Sequence, residues 1–425
     1  MLTREGHLRH NFILGVLNGA LFSFGSAFVD ANTVLPVFIR HFSGSDSMVG
    51  LASSVRSAGW YLAQLPMAGI LERRAYKRPF YVWANVVRMA LNWAFVPFLA
   101  LYAVQRPQWV LAGFITIFMV SSIFGGMAGA PFTDIVAKTI PRRHRGPFYA
   151  LRFFFGAGIL SIVAGFIVRY ILREDSLFGF PNNYVLIFAL SSLLMTVGIV
   201  CYGFVKEPPG RVSEKRRTFP DVVSEVPGIL RSDGNYRRLL VCQVLAAGLG
   251  FSLPFYVVLA HERFGVTAST VGLFLAFQTI GQTGANLVWG RLSSRRGNRM
   301  VIRLVLGIQV LIPLYALFLS NVVPDLILAE GGWLVTASFA PIFLLIGGTL
   351  SGSFVGFNSF LLDVAPEDRR PTYVGITNTS MGCASFFPAL GGVLADTVAL
   401  DGVFLLSGIS ICAAIAVSRR LKEPE

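Results

Sequence analysis

Charge is scarce in this chain. Only 14% of its 425 residues are Asp, Glu, Lys or Arg, against about 25% in an ordinary soluble domain. The shortfall excludes a soluble globular fold, because apolar runs of twenty or more residues recur from end to end and each is long enough to cross a bilayer as a helix. Mean hydropathy is +0.64, and 54% of the residues are hydrophobic. Acids are scarcer than bases, 22 against 36, which leaves a net charge of +14. That balance would suit a nucleic-acid partner, but the bases sit in short clusters between apolar runs, as membrane topology requires, and no nucleic acid is expected. Cysteine is nearly missing. Cys201, Cys242, Cys383 and Cys412 all fall inside apolar runs, where they read as small buried hydrophobes rather than disulfide partners or metal ligands. The five histidines, at 7, 10, 41, 144 and 261, lie at tails or membrane edges without metal spacing. Neither a GxxxxGK[ST] phosphate loop nor an HExxH pair occurs. No metal or other cofactor is expected, and an enzyme is not expected.

What is present is a polytopic helical membrane chain. Breaks at polar, Pro and Gly residues give twelve candidate spans, near 12–39, 47–71, 80–104, 109–137, 147–172, 183–205, 236–260, 268–291, 299–320, 333–363, 371–396 and 401–420. With both termini taken as cytoplasmic, 28 of the 36 Lys and Arg fall on tails and inner loops, the asymmetry that orients membrane proteins. The opening stretch "MLTREGHLRHN" is polar and feeds a span too long for a signal-peptide core, so it is expected to be retained on that side. Three arginines, Arg56, Arg88 and Arg152, belong to neither side. The chain divides into six spans in 1–205, a linker in 206–235 and six spans in 236–425. Within the linker, Val222, Val223, Val226, Ile229 and Leu230 predict an interfacial amphipathic helix starting at Pro220.

The two halves repeat one another. "SMVGL" at 47–51 recurs as "STVGL" at 269–273, "GILERRAYKR" at 69–78 as "GRLSSRRGNR" at 290–299, and "IPRRHRGPF" at 140–148 as "APEDRRPTY" at 365–373. "VKEPP" closes span six and "LKEPE" closes span twelve. Twelve spans as six plus six, a basic Gly-containing loop after spans two and eight, and Pro-x-x-x-Arg after spans four and ten resemble the major facilitator superfamily over essentially the whole chain. The second-half loop matches that family's G-x-L-x-D-R-x-G-R-R signature with Ser294 in the acidic place. In the first-half copy Arg73 replaces the acid and Tyr76 the second glycine, while Gly69 and Arg74 survive. The resemblance implies an all-α fold of twelve transmembrane helices in two pseudo-symmetric six-helix bundles. It also implies secondary transport of a small molecule by alternating access, with a cytoplasmic gate at Gly69, Arg74, Asp134, Arg145, Gly290, Arg295, Asp363 and Arg370. Lipid anchoring is the alternative role for the loop arginines. Gly69 and Gly290 read as helix ends where backbones approach closely.

Polar residues inside spans are rare because each costs several kcal/mol at the bilayer centre, about 2.5–3.5 on insertion scales. Span eight carries Gln278, Gln282 and Asn286 at i, i+4 and i+8, one helical face; 222 positions earlier stand Arg56, Trp60 and Gln64. Matching stripes in repeated halves point to a substrate cavity, with interhelical hydrogen bonding as the other reading. Span one places Ser23, Ser26, Asp30 and Thr33 at helical spacing. Asp30 and Arg56 are at similar depth on consecutive spans. They read either as a structural pair or as one that opens to let Asp30 carry a proton. Asn85, Arg88 and Asn92 on span three read as packing contacts first and substrate contacts second. Arg152 reads as snorkelling to the inner headgroups. Gly125, Gly126 and Gly129, with Gly347, Gly348 and Gly352, predict close helix packing in spans four and ten.

The expected function is proton-coupled secondary transport, leaning to efflux of amphipathic compounds from a cell membrane, with uptake or exchange of an organic anion as the alternative and a non-transporting sensor or lipid-handling protein as a third. The partners expected are a small-molecule substrate, a proton or other ion and membrane lipids, with the chain acting as a monomer.

Overall fold

The computed structural model describes residues 4–71, 74–210, 219–322, 332–366 and 369–423. Among them the backbone is helical and contains no strand, as a bilayer demands of a chain that must satisfy every N–H and C=O internally. Span one is α1 (Arg4–Ala27) with α2 (Val34–Ser43); α3 (Asp46–Leu71), α4 (Arg78–Tyr102) and α5 (Pro107–Thr139) follow. Span five joins α6 (Arg142–Arg152) to α7 (Ser161–Ile171) through a π-helical stretch, Phe153–Leu160, and α8 (Asn182–Gly203) closes the first half. The expected linker helix is α9 (Phe219–Ser232). In the second half, α10 (Gly234–Ala246) and α11 (Phe255–Phe264) make span seven, α12 (Thr270–Arg296) span eight, and α13 (Asn298–Gln309) with α14 (Leu311–Val322) span nine. Then come α15 (Trp333–Val364), α16 (Arg370–Ala384) with α17 (Phe387–Thr397), and α18 (Leu400–Ser418).

Eight of these spans are long and apolar enough to cross a membrane by composition alone. The four that fall short are one, two, eight and eleven, the first interrupted and the others diluted with polar residues. Large apolar side chains such as Ile409 and Phe354 are 67% and 65% exposed; in a membrane chain hydrocarbon takes the place of a core on that side. The same logic corrects the cysteines. Cys242 is buried and its thiol donates to Ala414 O at 3.4 Å, but Cys383 and Cys412 are exposed, because an apolar run in such a chain can face lipid instead of protein.

By contacts the chain separates into two units, Met1–Asp30 with Val55–Phe219, and Ala31–Ser54 with Pro220–Glu425. Residues 31–54 therefore pack with helices of the second half. The duplication is visible inside each unit. In the first, Asn11 Nδ2 donates to Lys206 O at 3.0 Å and Lys206 N donates to Asn11 Oδ1 at 2.9 Å. In the second, Asn235 and Lys422 exchange the same two bonds at 2.8 and 3.0 Å. Each clamp ties the start of a half to its closing "KEP" stretch. Close helix crossings repeat as well. A Cβ on Gly126 would stand 2.3 Å from Trp60 O, and one on Gly347 would stand 1.8 Å from Gln278 O, so only glycine lets α5 meet α3 and α15 meet α12 at these distances.

One expectation about span one fails. Ser23, Ser26, Asp30 and Thr33 do not share a helical face, because the chain leaves the helix over Phe28–Thr33, where turns flank Asp30 and its N–H donates to Ala27 O at 3.3 Å. Asp and Asn compete locally for backbone hydrogen bonds and favour such turns. Span seven breaks at the corresponding place, a 3₁₀ turn over Ala247–Phe251 ahead of Pro254.

Candidate functional site

A cavity of about 310 Å³ lies within the first unit, walled by α1, α3, α4, α5 and α8. Helical periodicity builds each wall. Arg56 and Trp60 are four apart on α3, Arg88 and Asn92 four apart on α4, and Phe188 and Ser192 four apart on α8, so each pair presents one face. Phe22, Trp60, Tyr61, Phe118 and Phe188 supply an aromatic surface, and serines such as Ser26, Ser57, Ser121 and Ser191 supply hydroxyls. The described lining holds two guanidinium groups and no carboxylate.

The two arginines are held differently. Arg56 Nη1 donates to Val29 O at 2.6 Å, satisfying a carbonyl that the break in span one leaves without a helical partner. Ser122 Oγ donates to Arg56 O at 2.5 Å, tying α5 to α3. Asp30 acts electrostatically on Arg56. Arg88 instead lies over the Phe22 ring, its guanidinium carbon 5.0 Å from the centroid. It rests against Gly125, where a Cβ would stand 3.0 Å away. Its Nε is buried and makes no hydrogen bond among the described residues. Arg56 and Arg88 are close enough to repel each other.

Of the residues singled out from the sequence, Ser26, Arg56 and Trp60 line this cavity, and Asp30 neighbours it through Arg56. Gln278, Gln282 and Asn286 stand on α12 in the second unit and are absent from this lining; the first is buried, the second half-buried, the third exposed. Gln64 and Gly69 lie outside the residues whose side chains are described. Asn85 makes a packing bond to Tyr81 O at 2.9 Å. Arg88 and Asn92, read first as packing contacts, are in the wall; their i, i+4 spacing was the available signal. Arg152 does not snorkel. Its Nη1 donates to Gly15 O at 2.7 Å and Asn18 Oδ1 at 3.1 Å, and its guanidinium lies 4.6 Å over Phe132. Gly19 leaves the room for it, since a Cβ there would sit 2.5 Å from Arg152 Nε.

A model of the Major Facilitator Superfamily matches residues 16–387. The chain belongs to the Major Facilitator Superfamily. It is 28% identical over 196 residues to the multidrug resistance protein MdtG of Dickeya zeae, covering 43% of this chain and 42% of that protein. The chain thus spans about two fifths of the length of the curated relative it matches. Among solved structures it superposes on a D-xylose-proton symporter with a TM-score of 0.69 at 13% identity, over 99% of both chains. It superposes on the nucleoside transporter NupG with a TM-score of 0.69 at 13% identity, over 98% of this chain and 100% of that one. At such identities the likeness is one of fold.

The superfamily's loop residues take definite places. Asp134 Oδ2 pairs with Lys77 at 3.1 Å and Lys138 at 2.7 Å, and Lys138 also pairs with Glu207 at 3.1 Å. Glu207, from "VKEPP", accepts from the backbone N–H groups of Lys77 and Arg78 at the start of α4, where the helix dipole favours an anion. Arg145 Nη2 donates to Ala137 O at 2.7 Å and Arg370 Nη2 to Leu362 O at 3.3 Å. Each thus reaches back eight residues to cap spans four and ten. Asp363 accepts from Asn298 at 2.6 Å. Arg74 and Arg295 are exposed. Gly290 does not end a helix, and a Cβ there would meet nothing within 4 Å; α12 runs on to Arg296, so close approach is not what it serves.

A cluster the sequence reading missed lies in the second unit. Arg40 pairs with Glu262 and, at 3.3 Å, with Asp46. Asp396 accepts from the backbone N–H groups of Asp46 and Ser47 and from both Ser45 and Ser47 hydroxyls. Arg40 and Glu262 are 222 residues apart, so equivalent positions of the two repeats touch each other with opposite charge. Burial pushes the Asp46 carboxyl up to about 6; Arg40 opposes the rise, while Glu262 and Asp396 add to it.

Proposed function

We propose that this superfamily member is a secondary transporter of amphipathic organic anions, working by alternating access in the cell membrane with both termini cytoplasmic. The carrying observation is a cavity whose described lining sets Arg56 and Arg88 among five aromatic rings with no carboxylate. Two like charges in a poorly solvated pocket repel, and an anionic ligand relieves that repulsion. The rings offer an apolar body its contact surface. Asp30, beside Arg56, is the candidate proton carrier, and the basic inner loops support the orientation.

Efflux of amphipathic compounds regardless of charge is the second reading, favoured by the aromatic wall and by the likeness to a protein named for multidrug resistance. Proteoliposomes separate the two. Anion transport predicts that a labelled aromatic carboxylate accumulates under an imposed pH gradient while its neutral amide does not, and that Asp30→Asn abolishes the response to the gradient. Transport of the amide or of an aromatic cation at the same rate would sink the anion reading. Undiminished proton-driven flux in Asp30→Asn would remove Asp30 from coupling.

A further inference from the structure

The anion reading leaves open how much charge the substrate carries and which arginine reads it. Three ionisable side chains of opposite sign set the local balance. Arg56 is already engaged, by Val29 O at 2.6 Å and by Asp30. Arg88 has a ring on one face and the Gly125 backbone against it, and its buried Nε has no acceptor among the described residues. One carboxylate beside two guanidinium groups leaves one positive charge over. Inside a low-dielectric cavity an uncompensated charge is strongly unfavourable, and an occupant that restores neutrality is selected by that term before any shape is matched.

We propose that Arg88 is the anion-reading residue of this cavity and that its substrates are singly charged organic anions bearing an aromatic ring, with the Asp30 carboxylate offsetting the charge of Arg56 while the substrate binds. This rests on the anion reading and sharpens it. A planar guanidinium matches a carboxylate or sulfonate with two parallel N–H donors. Phe22 already backs Arg88, and Trp60, Tyr61, Phe118 and Phe188 remain as the surface for a ring. The volume of about 310 Å³ is at the lower end for small-molecule sites. One or two rings with a single acid group fit that size; a large multicharged solute does not.

The test is calorimetric titration of the purified full-length protein with three ligands of one shape: naphthoate, naphthamide and naphthalenedicarboxylate. Wild type is expected to bind naphthoate at least about tenfold more tightly than either of the others, a ratio worth about 1.4 kcal/mol. Arg88→Gln weakens naphthoate by at least about tenfold and leaves naphthamide unchanged, while Arg88→Lys recovers part of the loss. Gly125→Ala crowds the guanidinium without removing it and gives the same selective loss, which keeps the test open if Arg88→Gln does not fold. Asp30→Asn adds one positive charge and moves the preference from naphthoate to the dicarboxylate. Equal or tighter binding of the dicarboxylate by wild type, or unchanged naphthoate binding in both Arg88→Gln and Gly125→Ala, overturns this inference and leaves the anion reading standing. Binding of naphthamide alone overturns both.

Discussion

Gly290 and Gly347 look alike in the sequence, each a glycine in a span of the second half, and the structure gives them opposite roles. A Cβ at Gly347 would stand 1.8 Å from Gln278 O, while one at Gly290 would meet nothing within 4 Å. Gly347→Ala is expected to destabilise by about 1–3 kcal/mol through forced separation of α12 and α15. Gly290→Ala is expected to stabilise by roughly 0.5–1 kcal/mol, because helical alanine loses less chain entropy than glycine. Thermal unfolding in one detergent, with both variants beside wild type, reads the contrast; a fall of equal size in both would refute it. Arg152 carries the same lesson. Its position after a basic loop suggested the headgroup region, whereas its bonds to Gly15 and Asn18 depend on where α1 runs.

At the scale of the element, the start of α3 is finished by a residue from elsewhere in the chain. A helix leaves its first N–H groups without partners, and Asp396 on α17 accepts two of them, a favourable place for a carboxylate. Asp46, the first residue of α3, has its carboxyl pushed up to about 6 by burial. The sign follows from the direction. With a folded value above the ordinary 3.8, the contribution is fully present below about pH 4 and is lost as pH rises through about 6. Wild type is expected to lose on the order of 1 kcal/mol between pH 5 and 7.5 relative to Asp46→Asn. His41, pushed down by burial and then by His261, contributes with the opposite sign in that window, so the difference between the two proteins is the quantity to measure. Arg40, Glu262 and Asp396 also face Asp46 and are common to both. A difference that stays flat with pH would show that Asp46 is not the titrating group.

For the whole molecule, the duplication explains more than the span count. The paired Asn–Lys clamps, the Arg145 and Arg370 caps, and the breaks in spans one and seven are the same devices made twice. The second unit nevertheless includes Ala31–Ser54 from the first half. A chain cut between 210 and 211 should therefore yield a second half that is short of α2 and the start of α3. Expressed alone, that half is expected to be less heat-stable than when the first half is co-expressed, and size-exclusion chromatography should recover the two together. Equal stability with and without the first half would count against a structural role for residues 31–54.

The scarcity of charge, the period of the apolar runs and the 222-residue repeat determined by themselves a membrane chain of twelve spans in two related sets, because bilayer thickness and backbone hydrogen bonding leave few alternatives. They also marked Ser26, Arg56 and Trp60, since polar residues at helical spacing inside a span are costly enough to stand out. The tertiary structure alone decided that Asp30 sits in a break and not on a helix, that Arg88 and Asn92 belong to the cavity wall, and that Asp396 caps α3. Each of these depends on which helix faces which at one depth, and a single helix's periodicity carries no information about its neighbour.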